Sequence, residues 1–369
     1  MRLSPAQRTA IDHVAAQARS RRSEALAQQE HIRRMCDLSA DGLRDALVSI
    51  RRRARVALHF HPDRPDAAGQ TVAQALLRDG LYRSQFETGL SNGGLSAHPG
   101  GRRDLCEQIL FGGAYHSSGT TNAERPKYGS LSLLRHADGP SPRFGSCYFV
   151  LAAAVSERCT FTYLDSHEGA IERGTHEEFD DVFAALLRSA FYHEIGLGES
   201  GLTVPSLIHR LRYDLSLPLS NVSHFPVARN LNHYIEAQVH GDLALDQDVD
   251  ALVADPSFRG TETGRVLADL CRQYDVALQW HPGFLLSCDK VPRDFRGPTM
   301  PSLAERVAQS GTIDASAIGA AVTDLRANPG AWVDRGSPDD VLQELKLLWH
   351  VLLKYGTQHP EELHQEQDS

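Results

Sequence analysis

The chain's six cysteines (Cys36, Cys106, Cys147, Cys159, Cys271 and Cys288) include no Cys-x-x-Cys pair. Scattered thiols of this kind fit reduced, packed side chains, not a disulfide framework or a zinc site. A run of about 18 apolar residues is also missing, so no helix is expected to span a membrane. The first residues carry Arg and Gln where a secretory signal needs an apolar core. The expected location is the cytoplasm, or the interior of a target cell for an effector. There is no P-loop, no dinucleotide fingerprint and no internal repeat. Basic residues are outnumbered: 38 Lys and Arg stand against 47 Asp and Glu, a formal net charge of -9. That balance argues against a nucleic-acid binder that relies on a general basic surface. It leaves the local run Arg51-Arg52-Arg53 with Arg55 as either a contact point or a solvated helix face.

The 369 residues, 41% hydrophobic and 23% charged, describe a globular protein of one large or two ordinary domains. Ser4-Pro5 caps a long helix through Arg34, and a second helix runs from Ala40 to Arg53. Val56-Ala-Leu-His-Phe-His61 then alternates, with His59 and His61 on one face, and stops at Pro62. A short helix ends at Gly80. The glycines from Gly89 to Gly101 either let backbone amides approach a phosphate or form a surface loop. Three strands follow, over 130–134, 143–151 and 158–166, and their turn signals suggest antiparallel pairing. Helical spacing covers 175–195, 207–211, 246–253 and 263–274. A loop is expected over 218–226, a strand broken at Pro282-Gly283 over 276–286, three helices up to Tyr355, and a frayed tail from Gly356. The 18 histidines include no helical His-x-x-x-His pair with a third ligand, so no metal is expected. A metal-dependent hydrolase stays as an alternative.

The stretch Asn230-Leu-Asn-His-Tyr-Ile-Glu236-Ala-Gln-Val-His-Gly241 carries the chemistry. Its alternation puts Tyr234, Glu236 and Gln238 on one face of a strand, and Ile235, Ala237 and Val239 on the other. A carboxylate on the polar face of a packed strand can orient a hydroxyl or stabilise a developing cation. The plain alternative is a solvated strand glutamate.

His61-Pro62-Asp63 after a basic helix resembles the J domain of Hsp70 co-chaperones, which implies a non-enzymatic interaction protein. A wider resemblance runs through Arg125-Pro-Lys-Tyr-Gly129, Arg158-Cys-Thr-Phe-Thr-Tyr-Leu-Asp-Ser166 and Tyr234-Ile-Glu-Ala-Gln-Val-His-Gly241. In that order these phrases resemble the ADP-ribosyltransferase superfamily, in particular its phage-head-associated and uncharacterised bacterial members. The resemblance implies an α+β fold: a split pair of antiparallel sheets with NAD between them. The catalytic core would span 55–245, with a helical extension over 1–54 and a mostly helical region over 246–369. It implies that Glu236, with Gln238, stabilises the oxocarbenium-like transition state. His61, or Arg64, would hold the ribose or diphosphate, and Tyr128, Thr160, Thr162 and Ser166 would line the nicotinamide side. NAD would be a substrate, a protein or nucleic acid the acceptor, and a bacterial toxin or effector the setting. Tyr234 stands where the arginine-modifying signature has Glu or Gln, so the acceptor stays open and so does hydrolysis of NAD.

Overall fold

The computed structural model describes residues 3–66, 68–90, 94–217 and 229–359. The expected loop over 218–226, and the tail beyond 359, lie outside them. Helix α1 (Pro5–Met35) starts as its sequence predicts. Ser4 Oγ accepts from the Gln7 amide, the Gln7 side chain accepts from the Ser4 amide, and Pro5 takes the first turn. Its small apolar stripe, Ala10, Val14, Ala18, Ala25 and Ile32, is buried. It packs against α5 (Asp180–His193), with Gln29 donating to the Asp180 carbonyl. Helix α2 (Ala40–Arg53) stops at Ala54, whose extended backbone leads straight into β1 (Arg55–Phe60).

The J-domain resemblance fails here, because that arrangement needs one unbroken helix before the His-Pro-Asp loop. A strand precedes it instead. The loop is also covered by the C-terminal helices, since a Cβ added at Gly319 would lie 1.5 Å from Asp63 Oδ2.

The remaining sheet strands are β2 (Lys127–Ser132), β3 (Cys147–Leu151), β4 (Cys159–Tyr163), β5 (Arg173–Thr175), β6 (Ile235–Val239), β7 (Val249–Ala254) and β8 (Ala277–Trp280). They form one eight-stranded sheet in the order β8-β7-β3-β1-β2-β6-β4-β5, antiparallel except for β7 with β8. Two further sheets have two strands each, Ile195–Gly196 with Glu199–Ser200 and Leu286–Ser287 with Thr312–Ile313. The fold is therefore mixed α/β with an antiparallel-rich sheet, but its main strands are continuous where a split pair was expected. The sheet also crosses the expected core boundary at 245. Of the helix expected over 246–253, only the first turn forms (Leu245–Asp248), and Val249–Ala254 is β7: inserted between β3 and β8, the run Val-Asp-Ala-Leu-Val-Ala follows the sheet's period of two. The tail is tied down as far as His359, because Thr357 pairs with Leu285.

One sheet face is apolar. Val56, Leu58, Phe60, Phe149, Phe161, Ile235, Ala237 and Val239 join a single large core with the helices. Apart from Ala237, each of these side chains contributes about 1.5–3 kcal/mol through burial. The opposite face carries a smaller cluster of Ala57, Tyr148, Val150, Ala251 and Val253. Register places polar groups on that second face: His59 lies opposite Tyr148, and Glu236 opposite both Ser130 and Thr162.

The backbone turn at Gly139 closes over this face. Its φ is +78°, and an added Cβ would meet the His59 ring at 2.5 Å. Gly139→Ala should therefore destabilise the fold by roughly 1–3 kcal/mol. Urea unfolding should show a lower midpoint at unchanged slope.

Candidate active site

Glu236 projects from the centre of β6 into a cavity of about 50 Å³. The walls come from distant parts of the chain: His59 on β1, Tyr128 and Gly129 on β2, Asp165 after β4, Ser141 and Phe144 from the loop before β3, and Arg103. Tyr82, Gln85 and Tyr234 complete it. Arg103 arrives on helix α4 (Arg102–Leu110), which follows Gly100-Gly101.

A hydrogen-bond relay fixes Glu236 from beneath. Gln238 Nε2 donates to Glu236 Oε1 at 2.9 Å, and Gln238 Oε1 accepts from Thr160 Oγ1 at 2.7 Å. Thr160 Oγ1 lies 3.0 Å from His240 Nε2, and His240 Nδ1 meets the Tyr115 hydroxyl. Burial pushes His240 down to about 3, so its ring is neutral. With Nε2 protonated, each hydroxyl, imidazole and amide from Tyr115 to Gln238 donates to the next group along, and the last bond ends on the carboxylate.

Asp165 sits in the same cavity with a different environment. It accepts from Tyr234 Oη at 2.7 Å, and its other oxygen is 2.7 Å from His167 Nδ1. Burial works against its charge, but the hydrogen bonds from His167 and Tyr234 hold its carboxyl below the usual range. Glu236 goes the other way. Burial, with the charge of Asp165 added, pushes it up to about 7 against the pull of Arg103 and Gln238. Two carboxyls in one cavity thus shift in opposite directions, Asp165 toward the ionised form and Glu236 toward the protonated one.

Arg103 supplies the cation. It is 4% exposed, lies 3.9 Å above the Tyr128 ring, and its buried Nε and Nη1 have no hydrogen-bond partner among the described residues. Burial opposes its charge, and Tyr128, Glu236, Glu107 and Asp165 outweigh that, so the pKa lies above the ordinary range. A buried guanidinium with unused N–H groups is a ready site for oxygen atoms of a ligand. Tyr128 is held in turn by Glu107 Oε1 at 2.9 Å, and Arg125 bridges Glu107 and Asp104 at 2.8 and 2.6 Å.

His59 is a wall and not a base. Its Nδ1 lies 3.2 Å from the Gly145 carbonyl, Nε2 accepts from the Ser141 amide, and burial pushes its pKa down to about 3.

The expected site residues divide into three groups. Glu236 and Tyr128 line the cavity, whereas Ser166 does not, and its buried hydroxyl has no hydrogen-bond partner among the described residues. Gln238, Thr160 and Thr162 lie beneath it, so Gln238 positions the glutamate and the two threonines touch no ligand space. His61 and Arg64 lie elsewhere, in a cleft of about 400 Å³ whose walls include Tyr82, Gln85 and Tyr128. These three residues line the Glu236 cavity as well, so the two spaces adjoin.

The assignment of His61 needs correction. The strand ends at Phe60, so His61 leaves the sheet face and meets the Trp349 ring edge-on at 5.4 Å. Burial pushes its pKa down to about 3, which removes it as a cation for a diphosphate. The imidazole facing Glu236 is His59. Arg103 and Asp165 were not assigned from the sequence at all. Asp165 lies inside one of the quoted phrases, whereas Arg103's only signal is its place just after a double glycine. Among the described residues no three His, Cys, Asp or Glu side chains are grouped to hold a metal ion.

Fold and site together define a mixed α/β protein with a glutamate, an aspartate and a buried arginine around one cavity, the glutamate's pKa raised and the aspartate's lowered. The chain belongs to the family described as "Protein of unknown function (DUF3626)", whose profile matches residues 55–355. The match runs from the first residue of β1 to the last residue of α10 (Pro338–Tyr355), so it takes in the whole eight-stranded sheet. No curated protein matches the chain.

Proposed function

We propose that the chain cleaves the bond between nicotinamide and ribose in NAD and transfers ADP-ribose, as an ADP-ribosyltransferase-like enzyme. The observation that carries this reading is the joint placement of Glu236, Asp165 and Arg103 beside the larger cleft. A second supports it: the three phrases of the resemblance meet in space, because β2 and β4 both pair with β6.

In the proposed reaction the electron pair of the breaking bond leaves with nicotinamide, and positive charge develops on the ribose. Carboxylates fixed beforehand stabilise that charge more than the ground state. The relay beneath Glu236 holds it without reorganisation at the moment of reaction. Arg103 directs its free N–H groups to ribose or phosphate oxygens, and the cleft with Arg64 takes the ADP portion. The acceptor's oxygen or nitrogen then bonds to the ribose carbon, and its proton goes to a cavity carboxylate. Water in that role gives NAD hydrolysis.

A cavity of about 50 Å³ holds one or two waters, given the ~30 Å³ that each occupies in the liquid. The reading therefore requires Tyr82 or Gln85 to swing aside and join cavity to cleft.

A pH profile tests the role of Glu236. The ionised form does the chemistry, and its pKa is raised to about 7. Thus kcat/KM should rise with pH, about tenfold per unit below 7, and level off above it. A rate that stays flat from pH 5 to pH 8 would remove Glu236 from the reaction.

A further inference from the structure

The basic run at the end of α2 has a destination that the proposed chemistry does not use. On the polar sheet face, toward the β8 edge, a groove of about 460 Å³ is lined by Arg53, Arg55, Arg135, Arg259, Tyr148 and Trp280. Among the described residues no Asp or Glu lines it, although the protein carries nine more acidic than basic residues. Arg55 is offset by Asp250 at 3.7 Å, and Arg135 donates to the Leu217 carbonyl. Arg53 and Arg259 are exposed and have no ion pair among the described residues. Arg259 lies 5.1 Å over the half-buried Trp280 ring. Like charges gathered on an acidic protein repel one another; here they also lower the pKa of Arg135, after burial. A polyanion relieves that repulsion.

We propose that this groove binds a single-stranded nucleic acid, with phosphates on the arginines and a base stacked against Trp280. Cations alone would equally suit an acidic peptide. The aromatic ring with its stacked guanidinium favours the nucleic acid, because every base offers a π face and a carboxylate offers none. The groove also runs toward the active site. Tyr148 lines it and packs on His59, ring centroids 4.9 Å apart, and His59 is itself a wall of the Glu236 cavity. Use of the bound strand as the ADP-ribose acceptor rests on the NAD reading; the binding itself does not.

Fluorescence anisotropy of a labelled short oligothymidylate with the full chain, in the absence of NAD, tests the proposal. Binding should weaken linearly with log salt. Arg53→Glu with Arg259→Glu should lower affinity by roughly tenfold or more and reduce the salt slope by about two. Trp280→Leu, which adds no charge, should weaken binding by roughly 5- to 100-fold. Glu236→Gln should bind as the wild type does, and the arginine variant should still cleave NAD to ADP-ribose at the wild-type rate, so each reading fails on its own measurement. The proposal is overturned by absent binding at low salt, by unchanged affinity in either groove variant, or by a polyglutamate peptide that competes as well as the oligonucleotide.

Discussion

Glu236→Gln should lose about 100- to 1,000-fold in NAD turnover, the usual effect of removing one preorganised electrostatic stabiliser. The substitution keeps the shape of the protonated acid, so fold and turnover separate cleanly. Linkage sharpens this. A carboxyl whose folded pKa is raised to about 7 stabilises the fold below its unfolded value near 4.5, and that contribution is lost as pH rises through 7. Above pH 7 the wild type must hold a buried charge that glutamine does not carry. The variant should therefore melt at the same temperature or higher at pH 8 while its activity is gone. A lower melting temperature together with full activity would contradict both halves of the argument.

Arg125→Met should be the most damaging of the substitutions for stability, by about 3–5 kcal/mol. Arg125 is 7% exposed and joins Glu107 and Asp104 of α4 to the chain just before β2. Removing it leaves two buried carboxylates without their cation. Burial already pushes Glu107 up to about 7, so the loss should shrink as pH falls below that value and Glu107 takes up a proton. Chemical denaturation at pH 8 and pH 6 measures the difference. Adding Glu107→Gln to Arg125→Met should recover part of the loss at pH 8, because one uncompensated charge is gone. Turnover should fall as well, since the same helix delivers Arg103 to the cavity.

What the sequence revealed follows from the range of each interaction. The period of two in 235–239 gave the strand, its buried face and its polar face, because alternation is a local property. The caps at Ser4 and the stop at Gly80 were local too, and both are present. The place of Glu236 on the polar face of a packed strand was therefore legible. Its partners were not, because Arg103 and Asp165 reach it only through the order of the sheet and the placement of α4. The histidine was missed by two residues: His59 and His61 share a face only while the strand lasts, and it ends at Phe60. Residues 249–253 read as helical because an apolar run that short fits either period, and insertion between β3 and β8 decided the matter.

The most direct test of the central claim is release of nicotinamide from NAD labelled in the nicotinamide ring, followed at pH 8 with the purified full chain. The account predicts continuous release by the wild type and about 100- to 1,000-fold slower release by Glu236→Gln. No release by the wild type, with or without added oligonucleotide or cell lysate, would contradict it.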